Sequence, residues 1–260
     1  MKIVVIGGTG LIGSRLVKQL QEQGHQAVAA SLDTGVNTLT GQGLAEVLQG
    51  ASVVVDVSNS SFDETAAMNF FTTSTRNLLK YEAAAGVKHH VALSVVGTDR
   101  LAERKPSDGP RSVRGYFRAK LAQERLIEEG AIPYSIVHAT QFFEFVKGIA
   151  DTATDGSTVR VAPVLIQPMA ADDVARALAR VATGKPVRGI VEVGGPQQFR
   201  LDDLIRQDLR ARHDSRQVVA DSRAGYYGLE VDDQTLVPAR DARLGQVTFD
   251  HWLGQPALAR

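Results

Sequence analysis

Tyr116-Phe117-Arg118-Ala119-Lys120 sets a phenol and an ammonium group four residues apart. On a helix, positions i and i+4 share a face, so both groups can address one cleft. A phenol titrates near pH ~10, and a cation a few ångströms away lowers that value by roughly 1–3 units. Such a cation would make Tyr116 a usable acid–base group. Upstream, Ser94 ends the apolar run His89–Ser94. Open α/β sheets bind their ligands at the carboxyl ends of strands, so a hydroxyl there can polarise a substrate carbonyl. The Tyr–Lys spacing is common by chance and is more often a surface pair. Its weight comes from what precedes it.

Gly7-Gly8-Thr9-Gly10-Leu11-Ile12-Gly13 lies between a β-branched run and a helical pattern. It satisfies G-x-x-G-x-x-G through Gly7, Gly10 and Gly13, and G-x-G-x-x-G through Gly8, Gly10 and Gly13. Glycines there permit a tight turn, close approach to a pyrophosphate and close helix–strand packing. The helix N-terminus adds free N–H groups and a positive dipole end. No Lys-Ser/Thr pair follows, which excludes a triphosphate P-loop. The expected ligand is a dinucleotide. Asp33, about 20 residues past Gly13, favours NAD by bonding the adenosine ribose, although it lies just beyond the expected strand end at Ser31. No Lys or Arg occurs between Lys18 and Arg76, so Arg15 is the one cation offered to a 2′-phosphate. NAD is expected, with NADP left open.

Other residues have blander readings. His89-His90 lacks partners at metal-ligand spacing and reads as structural, so no metal is expected. His138, ending the run Tyr134–His138, is either a pocket residue or a packed core histidine. Gln141-Phe142-Phe143-Glu144-Phe145 places aromatics just past that strand end, where Phe142 and Phe145 can share a face as a wall for a flat substrate. Gln141, Phe142, Phe143 and His138 are therefore candidates for the substrate side, with Tyr226 (beside Tyr227) closing its far side. Asp172-Asp173 and Asp202-Asp203 precede helical patterns and read as caps and first-turn acids.

The elements that must hold these groups are legible as alternating β-branched runs and helical patterns, the signature of βαβ units. Strands are expected over Lys2–Ile6, Gln26–Ser31, Ser52–Val57, His89–Ser94 and Tyr134–His138. Helices fall over Leu11–Gln23, Leu44–Gln49, Asp63–Ala85 and Tyr116–Glu129, with Gly24, Gly50, Gly86 and Gly130 as left-handed caps. The strands are continuously apolar, as in a parallel sheet covered on both faces. Gly97–Arg114, with Pro106, Gly109 and Pro110, reads as a loop that either contacts substrate or is an ordinary insertion. After Thr140 a helix is expected over Phe142–Ala153, a strand near Val159–Val161, a helix over Asp172–Ala182, a strand over Gly189–Val193 and a helix over Leu201–Arg212. A short helix at 249–253 closes the list. The fold class is thus a Rossmann-type doubly wound α/β sheet with a small mixed C-terminal substrate-side region, read as one domain over 1–260 in which 141–260 supplies most of the substrate side.

Bulk properties narrow the function classes. Zero formal net charge gives no basic surface for nucleic acid. The absence of cysteine excludes disulfides, thiolate metal sites and cysteine nucleophiles. No run approaches the roughly 20 apolar residues of a membrane span, and the N-terminal run is too short for a signal peptide. A cytoplasmic protein without membrane or nucleic-acid partners is expected, its oligomeric state open.

The chain resembles the NmrA-like, NAD(P)-binding group of atypical short-chain dehydrogenases/reductases. The resemblance rests on GGTGLIG at 7–13, VNTLTGQGLAEVLQGASVVVDVSN at 36–59, VALSVVG at 91–97, YFRAK at 116–120, IPYSIVHATQFFEF at 132–145, QPMAADDVA at 167–175 and VEVGGPQQF at 191–199. It implies that Asn37 or its neighbours lie by the adenine and that Val57, Ser58 and Asn59 lie beside the cofactor. It also implies that Lys120 bonds the nicotinamide ribose and that Ala139, Thr140, Gln141 and Phe142 border the nicotinamide. Relatives that have lost the tyrosine act as redox sensors; Ser94, Tyr116 and Lys120 are all present here. Two departures stand out: His138 replaces a frequent Arg, and Ser31-Leu32 replaces the basic residue of NADP-binding members. The expected function is NAD(P)-dependent hydride transfer to or from a hydrophobic, aromatic or polyketide-like carbonyl or quinone. The alternatives are a tailoring monooxygenase on this scaffold and a non-catalytic redox-sensing regulator.

Overall fold

The computed structural model describes residues 1–107 and 113–255. The first strands and helices alternate as β1 Lys2–Ile6, α1 Leu11–Glu22, β2 Gln26–Ala30, α2 Leu44–Leu48, β3 Val53–Asp56, α3 Glu64–Ala85 and β4 His89–Val95. Helices α4 Thr98–Glu103 and α5 Arg114–Glu128 follow, then β5 Tyr134–Ala139. The rest comprises α6 Val146–Thr152, β6 Thr154–Asp155, β7 Thr158–Val161, β8 Leu165–Ile166, α7 Ala171–Thr183, β9 Ile190–Gly194, β10 Phe199–Arg200, α8 Leu201–Ala211, β11 Gln217–Ala220, β12 Arg243–Leu244 and α9 Phe249–Leu253.

Seven strands form a parallel sheet in the order β12-β9-β5-β4-β3-β1-β2. β1 pairs β2 on one side and β3 on the other, so the winding reverses there and opens a crevice at the carboxyl ends of the strands. This is the Rossmann-type sheet expected. α7, β9 and β12, from the less regular part of the chain, complete this sheet and its helical cover; β6, β7 and β11 form a separate mixed sheet. Among the described residues, no helix is long and apolar enough to cross a membrane.

Alternation along each strand divides the core. Ile3, Val5, Val53, Val55, Val91 and Val137 face α1 and α7, where they pack on Leu16, Leu20, Val174 and Leu178. Each such buried aliphatic contributes about 1.5–3 kcal/mol. Val4, Ile6 and Val54 face Leu44, Leu48 and Leu78. Beside that apolar layer the same sheet face turns polar. Asp56, His90, Ser94 and His138 project from β3, β4 and β5 into contact with Glu82, Lys120, Gln123 and Glu124 of α3 and α5, all buried. Charged groups are retained in a dry layer only when paired or hydrogen-bonded.

Local signals explain most boundaries. Asp63 caps α3 by accepting the Ala66 N–H at 2.8 Å, and Gly86 ends that helix at φ +73°. Gly24 and Gly50 are left-handed as expected; Gly130 does not adopt a positive φ, because α5 runs out through Glu129 in right-handed geometry. The expected loop from Gly97 contains α4, begun at Gly97 with φ +75°; Gly109 and Pro110 lie outside the described residues. The expected helix from Phe142 starts as a 3-10 turn at Phe143–Phe145 before α6. The cap of α7 is Ala170, and the Glu144 carboxylate accepts the Ala171 N–H at 3.1 Å. Asp173 instead accepts the Gln246 and Val247 N–H groups, which ties the C-terminal segment to the sheet.

Candidate active site

The glycine turn leaves β1 at Gly7, whose φ of +75° suits a residue without Cβ. A Cβ on Gly13 would sit 2.1 Å from the Gly7 carbonyl oxygen, and one on Gly8 would sit 2.6 Å from the Ala29 Cα. Those two glycines are demanded by the protein's own packing. Gly10 is not: a Cβ there would meet only the Gly7 oxygen, at 3.3 Å, and Gly10 is exposed. The first helical bond of α1 is Ser14 N–H to Gly10 O. The Leu11, Ile12 and Gly13 N–H groups therefore precede any helical acceptor, as at every helix start. An open glycine beside free N–H groups fits a pyrophosphate. Gly13→Ala should therefore destabilise the fold, by about 1–3 kcal/mol or more from overpacking. Gly10→Ala should melt like the parent and lose dinucleotide affinity. Thermal denaturation alongside NADH titration separates the two, and equal melting of both variants would contradict the packing argument.

At the adenosine end, Thr9 N–H meets Ser31 Oγ at 3.3 Å and Thr9 Oγ1 meets Asp33 Oδ2 at 3.5 Å. Ser31 and Asp33 are thus drawn onto the turn, Asp33 within the exposed 3-10 turn Leu32–Thr34. Arg15 is placed differently from the expectation. It pairs with Asp172 at 3.0 Å and donates to Leu11 O, on the α7 side of α1. Asn37 serves its own loop, its Oδ1 accepting the Leu39 and Thr40 N–H groups, so its side chain is committed to a turn.

Tyr116 and Lys120 stack along the buried face of α5, as their spacing predicts. Tyr116 Oη donates to Asn59 Oδ1 at 2.9 Å, joining α5 to the segment after β3. Lys120 Nζ donates to Leu93 O at 2.8 Å and to Gln123 Oε1, above the Phe71 ring at 4.6 Å. The expected lowering of the Tyr116 pKa does not occur: burial raises it, and the Lys120 ammonium is hydrogen-bonded to Leu93 O and Gln123 Oε1. Burial lowers Lys120 to about 8, against the opposing pull of Asp56 and Glu124.

Ser94 is engaged from within the protein. Its hydroxyl donates to Glu124 Oε1, the same oxygen that meets His138 Nε2 at 3.1 Å. Ser94 and His138 are directly opposed on β4 and β5 with side chains on the α5 face, so both turn inward to one carboxylate. His138 is a buried, partnered histidine. Glu124 and Asp56 were missed by sequence reasoning. Glu124 lies eight residues past Tyr116 on the same helical face, and Asp56 is a lone carboxylate within an apolar strand. A charge inside a continuous apolar run was the available signal.

On the substrate side, Phe142 and Phe145 stack at 5.4 Å between centroids. Phe142, like Leu11 and Val57, packs against the edge of the α1 core, and Phe145 is 46% exposed. Phe143 points the other way, fully buried against Phe249 and Trp252, because the 3-10 turn separates its direction from that of its neighbours. Ala139 and Thr140 are buried at the end of β5; Thr140 Oγ1 and both amide atoms of Gln141 are buried without a protein partner among the described residues. Phe62, 54% exposed, lies edge-on to Tyr116 at 5.2 Å and against Tyr227 at 5.6 Å. Tyr226 is buried on the other side of Tyr227, and the two line a cavity of about 730 Å³ with Ile149, Arg160 and Arg223.

No match to the chain is found among curated proteins. Solved structures share the fold. MoeE5 in complex with UDP-glucose and NAD is 18% identical with a TM-score of 0.73, covering 97% of this chain and 96% of its own. A short-chain dehydrogenase/reductase superfamily protein from Agrobacterium tumefaciens with bound NAD is 17% identical with a TM-score of 0.71, covering 97% and 95%. The NADPH-dependent quinone oxidoreductase QOR2 of Escherichia coli, complexed with NADPH, is 20% identical with a TM-score of 0.63, covering 84% and 77%. A family model described as NAD(P)H-binding matches residues 7–185, which includes the glycine turn and the Tyr116–Lys120 helix. The chain belongs to this NAD(P)H-binding family.

Proposed function

We propose that the protein is an NAD(P)-dependent oxidoreductase that reduces a carbonyl or quinone-like carbon of a flat, hydrophobic small molecule. One observation carries the reading: Tyr116 and Lys120 share the buried face of α5, Tyr116 hydrogen-bonded to Asn59 just past β3 and Lys120 to Leu93 O near the end of β4, with the glycine turn lying against Ser58. The nicotinamide, when bound, supplies the hydride. The Gly7–Gly13 turn would hold the pyrophosphate, Val57, Ser58 and Asn59 would flank the cofactor, and Ala139–Phe142 would border the nicotinamide. Tyr116, kept protonated by burial, holds a proton for donation, as a weaker acid than an ordinary phenol. Lys120 would hold a ribose hydroxyl. Ser94 is left with an indirect role through Glu124. Phe62, Phe142 and Phe145 provide apolar rims for the substrate, and residues from 141 onward supply most of its side. The quinone reductase among the fold neighbours is consistent with such a substrate.

NAD is the preferred cofactor in this reading. Asp33 sits by Thr9, and Arg15 is turned toward Asp172. A 2′-phosphate would be set against the Asp33 carboxylate, a repulsion between like charges. Anaerobic consumption of NADH and NADPH with menadione and an aromatic aldehyde tests both points. NADH should support turnover at least about 10-fold better than NADPH, and Asp33→Ser should narrow that ratio. Turnover that requires oxygen would favour the tailoring monooxygenase. The engagement of Ser94 by Glu124 favours a redox-state sensor; tight NADH binding with no acceptor reduced would establish that reading instead.

A further inference from the structure

We infer that Asp56 is a positioning residue that couples the cofactor-flanking segment after β3 to the ammonium of Lys120 through the side-chain amide of Gln123. The inference rests on the functional reading above. Asp56 ends β3 beside the crevice and is 1% exposed. Both its oxygens are used. Oδ1 accepts the Ser58 N–H at 2.9 Å and the Ser58 hydroxyl at 2.6 Å; Oδ2 accepts Gln123 Nε2 at 3.0 Å. The Gln123 carbonyl oxygen then accepts Lys120 Nζ.

This amide can be read in only one orientation. Reversed, it would set NH₂ against an ammonium and C=O against a carboxylate, two repulsions in a dry layer. Gln123 thus relays the Asp56 charge to Lys120 without letting the two form a direct pair. A direct pair would pull the ammonium off Leu93 O. The groups facing Lys120 are Asp56 from β3, Glu124 and Gln123 from α5, the Phe71 ring from α3 and the Leu93 carbonyl from β4. Of these, only the two carboxylates oppose the burial that brings Lys120 down to about 8. Ser58, on the other oxygen of Asp56, belongs to the segment expected to touch the dinucleotide. A ligand seated on Ser58 and the proton on Lys120 therefore bear on the same carboxylate, and they are thermodynamically linked.

The test is NADH affinity, read by nicotinamide fluorescence from about pH 6 to about pH 10, with ADP as a probe of the adenosine half. In the parent, affinity should hold to about 8 and fall above it as Lys120 loses its proton. Gln123→Met breaks the relay but leaves Asp56 on Ser58; Asp56→Asn removes the charge. Both should move the alkaline midpoint down by about one pH unit, with ADP affinity unchanged within about twofold. Midpoints that stay with the parent in both variants overturn the inference. So does loss of ADP and NADH in equal measure, since that would make Asp56 a scaffold for its loop and nothing more. A parent that binds ADP but never NADH would refute the functional reading itself, and this inference with it.

Discussion

Tyr116→Phe should fold, bind NADH like the parent and lose about 10³-fold in kcat, the middle of the range for a positioned proton donor. Phenylalanine preserves the edge contacts with Phe62, Phe71 and Phe117, so packing is kept. Only the hydroxyl and its bond to Asn59 disappear. Burial holds the parent phenol above its ordinary pKa, so it stays protonated across the neutral range. Reduction, which uses the protonated phenol, should therefore be favoured at neutral pH over oxidation, which needs the phenolate. The alkaline limb of the reductive pH profile belongs to Lys120 and should fall through about 8. Steady-state rates with menadione, beside NADH fluorescence titration, check this. A kcat within about threefold of the parent would remove Tyr116 from the chemistry.

The parts of this site that were legible in the sequence are those set by local rules. Turn geometry and close packing place glycines at 7, 8 and 13 whatever surrounds them, and helical period puts Tyr116 and Lys120 on one face. The sheet was legible because its central strands are buried on both faces and read as mostly apolar runs without a polar–apolar alternation. What remained hidden depends on which helix covers which face. Ser94 stands at the strand end where a catalytic hydroxyl belongs, yet the alternation of β4 sends it under α5 to Glu124. Arg15 has the right position for a phosphate, but α7, more than 150 residues later in the chain, arrives with Asp172 and takes it. The direction of the Tyr116 shift was hidden for the same reason. Spacing places a lysine on the same helical face, but it does not show how deeply the phenol is buried, and burial sets the direction.

Glu82→Gln should cost about 3 kcal/mol of stability at about pH 6, at the low end for breaking a buried pair. Glu82 and His90 are both fully buried, with His90 Nδ1 at 2.9 and 3.0 Å from the two carboxylate oxygens. Burial alone would lower His90, but the Glu82 charge and hydrogen bond, with help from Asp56, outweigh it and hold His90 above its ordinary value. A histidine raised on folding contributes stability that is fully present below its unfolded value of about 6.5 and is lost as pH rises through its folded value. The gap between parent and variant in urea denaturation should therefore be widest near pH ~6 and narrow as the pH rises through the raised folded value of His90. His89, held down to about 4 by burial and by the neighbouring His90, works in the opposite sense between those values. It is present in both proteins, so the comparison largely cancels it. In the variant, the neutral amide that replaces the Glu82 carboxylate can still meet a neutral imidazole, which is why the gap closes rather than persisting. A gap of constant size across this range would mean that the pair acts through shape and hydrogen bonding alone, with His90 uncharged in the folded protein.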